Sequence, residues 1–148
     1  YYQVTSHPVG ARLVVPLLTA YVGPDRVAAE LNGVFHPQPV PTGYLDHLNL
    51  DLTLSRRAVR ENARHRARLK GDIAGLQPRY GQIEIPVEMI HGRDDITVPL
   101  SIHAAPLAQQ LPRANLVVLD GVGHMPHHSD EDAVVAAIDR AAERAGLR

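Results

Sequence analysis

Residues 83–148 are predicted to form an α/β unit with a parallel sheet, in the order βαβα. Three observations predict it. Ile83–Ile90 and Leu116–Leu119 are apolar runs of strand length. A segment of helical length, closed by Pro112, lies between them. After them, Val134, Ala137, Ile138, Ala141 and Ala145 repeat at helical spacing. An unbroken run such as Leu116–Leu119 suits a strand covered on both faces, as in a parallel sheet. Residues 1–82 read as mostly helical.

Composition sets the frame. The chain has 148 residues, 45% apolar and 21% charged, with a net charge of −1. That balance excludes disorder for most of the chain and leaves enough apolar side chains for a core. No stretch approaches the roughly 18 consecutive apolar residues of a membrane span, so no membrane partner is expected. The absence of cysteine rules out disulfides and fits a reducing compartment. The chain opens at Tyr1 without a charged and then apolar leader, and a cytoplasmic location is expected. Every aromatic residue lies before residue 81, which marks a division near residue 82.

Within the first part, residues 11–22 are apolar but interrupted by Pro16, which suits a kinked helix buried against protein. Asp25 is expected to cap a short helix through Leu31 that Asn32-Gly33 ends. Residues 36–43 alternate proline with other residues and are expected to be extended and polyproline-like. Residues 54–75 read as a long helix. Thr53 or Ser55 accepts its first free N–H groups. Val59, Ala63 and Ala67 form a thin apolar stripe, Gly71 and Gly75 weaken the end, and Pro78 closes the region. Arg56, Arg57, Arg60, Arg64, Arg66, Arg68 and Lys70 face a single Glu61 on this helix. Such a face attracts anions. No interleaved aromatics or nucleic-acid module accompany it, so the reading is a solvated face with arginine stems over apolar neighbours.

In the second part, Pro86 sits near the start of the first strand, where a missing N–H is tolerated. The strand runs into the polar turn His91-Gly92-Arg93-Asp94-Asp95. Ser101–Leu111 is the expected helix, with Ser101 as its cap and Pro106 an awkward guest. Residues 120–129 form a loop rich in Gly and His. Asp130 starts the last helix, with Glu131 and Asp132 in the first turn, where the dipole favours acids. Gly146 ends it.

Two parallel strands joined by a helix put the loops that follow them on one edge of the sheet, where ligands and catalytic groups of open α/β sheets gather. Asp94 or Asp95 is therefore expected close to His124. A carboxylate so placed fixes the tautomer of an imidazole and stabilises the imidazolium. His124, His127 and His128 are close in sequence, and His91 and His103 add further candidate ligands. A metal site usually also needs a carboxylate or another His nearby and an outer shell of support. The reading is no metal and no cofactor, with His127 and His128 at a pocket rim or the surface.

His91-Gly92-Arg93-Asp94-Asp95-Ile96-Thr97-Val98-Pro99 together with Leu119-Asp120-Gly121-Val122-Gly123-His124-Met125-Pro126 resembles the C-terminal end of an α/β-hydrolase. In that family a Gly-x-x-Asp turn supplies the acid and a Gly-His loop after the final strand supplies the base. The resemblance makes Asp95 the acid and His124 the base, with Asp94 as the alternative acid. It implies that residues 83–148 are the C-terminal portion of the parallel sheet and that residues 1–82 are the helical cap inserted ahead of it. The order of acid then base agrees with the family. The nucleophile elbow, usually Gly-x-Ser-x-Gly, does not occur: Ser6, Ser55, Ser101 and Ser129 have no such flanks. An N-terminal segment of comparable size, in the same gene product or another chain, is expected to carry it. The expected protein is a serine esterase-like hydrolase acting on a small apolar ester, inactive without that segment. Two alternatives stand beside it: epoxide hydrolase or haloalkane dehalogenase chemistry with an Asp nucleophile, and a non-catalytic interaction domain.

Overall fold

Val87–Gly92 forms β1 and Ala114–Leu119 forms β2, and the two pair in parallel with Val87 opposite Ala114 and Gly92 opposite Leu119. They make the one two-stranded sheet among the described residues. The structure, a computed structural model, describes residues 22–147. The kinked helix expected over 11–22 falls, apart from Val22, outside them. The described residues gather into two units, 22–30 with 41–77 and 31–40 with 78–147.

α1 (Pro24–Phe35) begins in the first unit and ends in the second, and it starts on proline, whose missing N–H belongs to a position with no helical partner. It runs through Asn32-Gly33, the expected stop. A single glycine weakens a helix by only about 1 kcal/mol, and the fully buried Phe35 holds the last turn. Residues 36–43 are turns around an irregular middle, not an extended run. Gln38 N–H closes the first turn on the Phe35 carbonyl at 2.8 Å. Two single-turn helices follow, α2 (Tyr44–His47) and α3 (Leu50–Thr53), entered through Gly43 and Asn49 at positive φ. Asn49 tolerates that conformation, and its side chain accepts from Leu52 N–H.

Next comes α4 (Arg56–Leu76), capped by Ser55, whose hydroxyl accepts from Ala58 N–H at 3.2 Å. Ala63 is buried, and α3 packs against this helix. Gly71 and Gly75 do not end it. The helix passes into a 3-10 turn at Gln77–Gln82, where Pro78 lies. Most of its cationic face is exposed, and Arg64 pairs with Glu61 at 2.7 Å.

In the second unit, β1 begins four residues later than Ile83. Pro86 has no N–H for the ladder, and the first bond is Val87 N–H to Arg113 O at 3.1 Å. The intervening helix, α5 (Ala104–Gln110), is shorter than Ser101–Leu111 and is not capped by Ser101. Its start at Ala104 places Pro106 in the first turn, where no intrahelical N–H bond is lost. Leu111, ahead of Pro112, is extended and stops the helix. One turn of helix, α6 (Pro126–Ser129), interrupts the expected loop. The last helix, α7 (Glu131–Arg144), is capped by Asp130, whose side chain accepts from Ala133 N–H at 3.0 Å.

α7 packs on β1 and α5 on β2. Both strands are half-buried rather than covered on both faces. Of the α7 stripe, Ala137 is buried but Ile138 is 63% exposed. Two strands offer a narrower floor than the stripe was expected to cover. No described helix is long and apolar enough to cross a membrane.

α7 is pinned to the sheet by charge. Glu88 and Asn115 are register partners, so their side chains share a face. The enclosed Glu88 carboxylate accepts from Asn115 Nδ2 at 2.7 Å, Arg144 Nη1 at 2.6 Å and Arg140 Nε at 3.2 Å. Burial pushes the Glu88 carboxyl up, but the bonds from Asn115, Arg144 and Arg140 outweigh it and hold it below the usual range. A carboxyl with a lowered folded-state pKa contributes stability above its unfolded pKa of about 4.3 and loses it as pH falls through the folded value. Glu88→Gln is expected to lower unfolding stability by about 1–3 kcal/mol at pH 7 and to flatten the loss of stability below about pH 4. Denaturant titrations of both proteins across that range check this.

Candidate active site

The register of the sheet brings two loops together. Because Gly92 and Leu119 are opposite each other, residues 93–98 and 120–124 leave the same edge side by side. The ladder continues past the strands: Arg93 N–H bonds Leu119 O at 2.9 Å and Asp94 N–H bonds Val122 O at 3.0 Å. Arg93 and Asp120 also pair across the loops through their side chains.

Glycine is required where the loops meet. A Cβ on Gly92 would run into the carbonyl oxygens of Val122 and Gly123. One on Gly123 would run into the carbonyl oxygen of His36. Gly121 has φ 73°, a left-handed conformation that other residues rarely adopt.

Asp95 lies at the centre, its side chain 3% exposed. Its Oδ1 accepts two backbone bonds, from Thr97 N–H at 2.9 Å and Val98 N–H at 2.7 Å. Its Oδ2 accepts from His124 Nδ1 at 2.9 Å. Burial pushes the Asp95 carboxyl up, but bonds from Val98, His124 and Thr97 outweigh burial and hold it below the usual carboxylate range. An ionised carboxylate only accepts, so the His124 proton facing it sits on Nδ1, and in the neutral imidazole Nε2 carries the lone pair. His124 is 32% exposed, and its Nε2 has no hydrogen-bond partner among the described residues. The pair is thus arranged to take a proton at Nε2 while the carboxylate steadies the resulting charge.

Asp94, the other candidate acid, is exposed on the turn. His91 is close to Asp95: its Nε2 donates to Val98 O at 2.9 Å and lies 3.5 Å from Asp95 Oδ2. It braces Val98, the residue whose own N–H binds Oδ1. His127 and His128 are exposed, with ring centroids 4.4 Å apart. His128 also meets Phe35, at 5.6 Å. Among the described residues no three potential ligands converge on a metal position.

The sequence reading missed Gln38. Its side-chain oxygen accepts from Gly123 N–H at 3.1 Å, and its amide group donates to Gly121 O. More than eighty residues separate these partners, and no local pattern marks Gln38. The turn before it, anchored by Phe35, belongs to the second unit.

No family model matches the chain. Over 64 residues it is 38% identical to pimeloyl-[acyl-carrier protein] methyl ester esterase from Nitrosomonas europaea, a match over 43% of this chain and 25% of that protein. Its structure is similar to the crystal structure of a membrane phospholipase A described as a novel bacterial virulence factor, with TM-score 0.53 and 20% sequence identity. That match covers 80% of this chain and 39% of the other. The chain therefore spans about a quarter of the curated relative and about two-fifths of the solved structure. The two likenesses support a hydrolase-type fold: mixed α/β, with a small parallel sheet.

The close approach of the loops generates a contrast between glycines. Gly92→Ala is expected to lower stability by about 1–3 kcal/mol, because loop backbone must move to admit the methyl group. Gly71→Ala, in the interior of α4 with nothing within 4 Å of its Cβ position, is expected to raise stability by about 0.5–1 kcal/mol. Thermal unfolding of the two variants measures the opposite signs.

Proposed function

We propose that this chain supplies the acid and base of a serine esterase-like hydrolase, with Asp95 as the acid and His124 as the base. The observation that carries the reading is the buried, ionised Asp95 bonded to His124 Nδ1 on the carboxyl edge of a parallel sheet, with Nε2 unpartnered among the described residues. The local likeness to a methyl ester esterase supports the same reaction class. The substrate class is a small, fairly apolar ester.

The nucleophile is supplied by a segment outside the 148 residues, since none of the four serines has elbow flanks. β1 and β2 each have one edge without a ladder partner among the described residues, and such edges accept further strands. On this reading residues 1–82 act as the helical cap, and the chain alone is inactive.

In the reaction, His124 Nε2 takes the hydroxyl proton as the serine oxygen attacks the ester carbonyl. Asp95 holds the imidazolium formed. The proton then passes to the departing alkoxide, leaving an acyl-enzyme. A water molecule, deprotonated by the same nitrogen, releases the acid and restores the serine.

The test uses the gene product that carries the upstream segment, assayed on p-nitrophenyl esters. His124→Ala is expected to lower kcat by about 10⁴-fold or more. Asp95→Asn is expected to lower it by about 10⁴-fold, because the amide Nδ2–H would donate to His124 Nδ1 and move the proton to Nε2, the wrong tautomer. Unchanged turnover in His124→Ala overturns the assignment. Aspartate at the centre of the upstream elbow would redirect the chemistry to an alkyl-enzyme ester.

A further inference from the structure

We propose that Gln38 is a positioning residue for His124, acting as a side-chain clamp on the loop that carries it. The inference rests on the reading of His124 as the base. Two backbone groups of that loop, Gly121 C=O and Gly123 N–H, are bound by one amide. Gly123 N–H only donates and Gly121 C=O only accepts, so the partners dictate which end of the amide faces which. The clamp fills both ends of the side chain and spans the residues before His124.

The geometry explains why the loop needs it. Gly121 sits at positive φ, and residues 120–124 contain two glycines with no side chains to pack. Gly123 is buried, so its N–H is shielded from water that would otherwise satisfy it. The residue after Gly123 is His124, whose Nδ1 must meet a carboxylate at 2.9 Å. A shift of about 0.5 Å in the backbone is enough to spoil a pre-organised pair.

Gln38 is itself held. Phe35 is buried, Gln38 N–H closes the turn on Phe35 O, and the His36 carbonyl lies against Gly123. The backbone of residues 36–38 therefore faces the loop at the point where glycine leaves room. The clamp arrives from a fixed turn rather than from a free side chain.

The test reads His124 directly in the gene product that carries the upstream segment, by nitrogen-15 NMR of its imidazole and by amide exchange. The wild-type protein is expected to show the Nδ1–H tautomer. Gln38→Met has similar length but no amide. It is expected to shift His124 towards a tautomer mixture and to speed exchange at Gly123 by about fivefold, the factor of one net hydrogen bond. Gln38→Glu accepts from Gly123 N–H but cannot donate to Gly121 O, and it is expected to fall between the two. It also supplies the reading if Gln38→Met does not fold. Unchanged His124 signals in a folded variant overturn the clamp, even if the melting temperature drops, because the residue would then be structural only. A wild-type His124 without the Nδ1–H tautomer overturns the pair itself, and the clamp's role with it.

Discussion

The Asp95 carboxylate is withdrawn from solvent and yet kept charged, and the arrangement of the second unit follows from how that is done. Burial alone would favour the neutral acid. Two backbone N–H groups from its own turn and one imidazole outweigh the burial. The turn must curl tightly enough to aim Thr97 and Val98 at Oδ1, and His91 holds the carbonyl of Val98 from the strand side. With Oδ1 occupied by backbone, Oδ2 is left for His124. The tautomer of His124 is therefore decided by an acid whose own charge is decided by a turn.

That turn needs the neighbouring loop at backbone distance. Gly92 ends β1 where the carbonyls of Val122 and Gly123 pass, and any side chain would separate the loops. Parallel pairing with Gly92 opposite Leu119 delivers both loops to the same edge without a long excursion. The sheet's other face of obligation is Glu88, whose bonds to Arg140 and Arg144 fix α7 across β1. The two carboxylates, one on β1 and one in the turn after it, are both buried and both held ionised by bonds that outweigh burial.

Much of the second unit was readable in the sequence because its signals are local. The apolar runs located β1 and β2, although Pro86 moved the start of β1 by removing a ladder donor. Asp130 was placed at the start of the last helix, and its side chain there accepts an N–H three residues on. Asp95 and His124 came into view through the turn and loop that carry them, and the sheet register sets them side by side. Gly33, read as a stop, was overridden by burial of Phe35, a tertiary effect invisible in a window of neighbours. Glu88 and Gln38 were missed for the same reason. Each acts through partners dozens of residues away, and a lone Glu in a strand or a Gln between prolines carries no periodicity.

The prolines around Gln38 show how a local reading and a distant role coexist. Alternating prolines do discourage helix and sheet there, as expected. Backbone that enters neither helix nor sheet can turn sharply, and here it turns at Phe35 and closes with Gln38 N–H on the Phe35 carbonyl. The turn gives the Gln38 side chain a fixed base and aims it at the two glycines ahead of His124. A segment with little regular structure of its own thus completes the hydrogen bonding of a loop that also has little. The two stretches that periodicity describes least well are, in the folded chain, partners of each other.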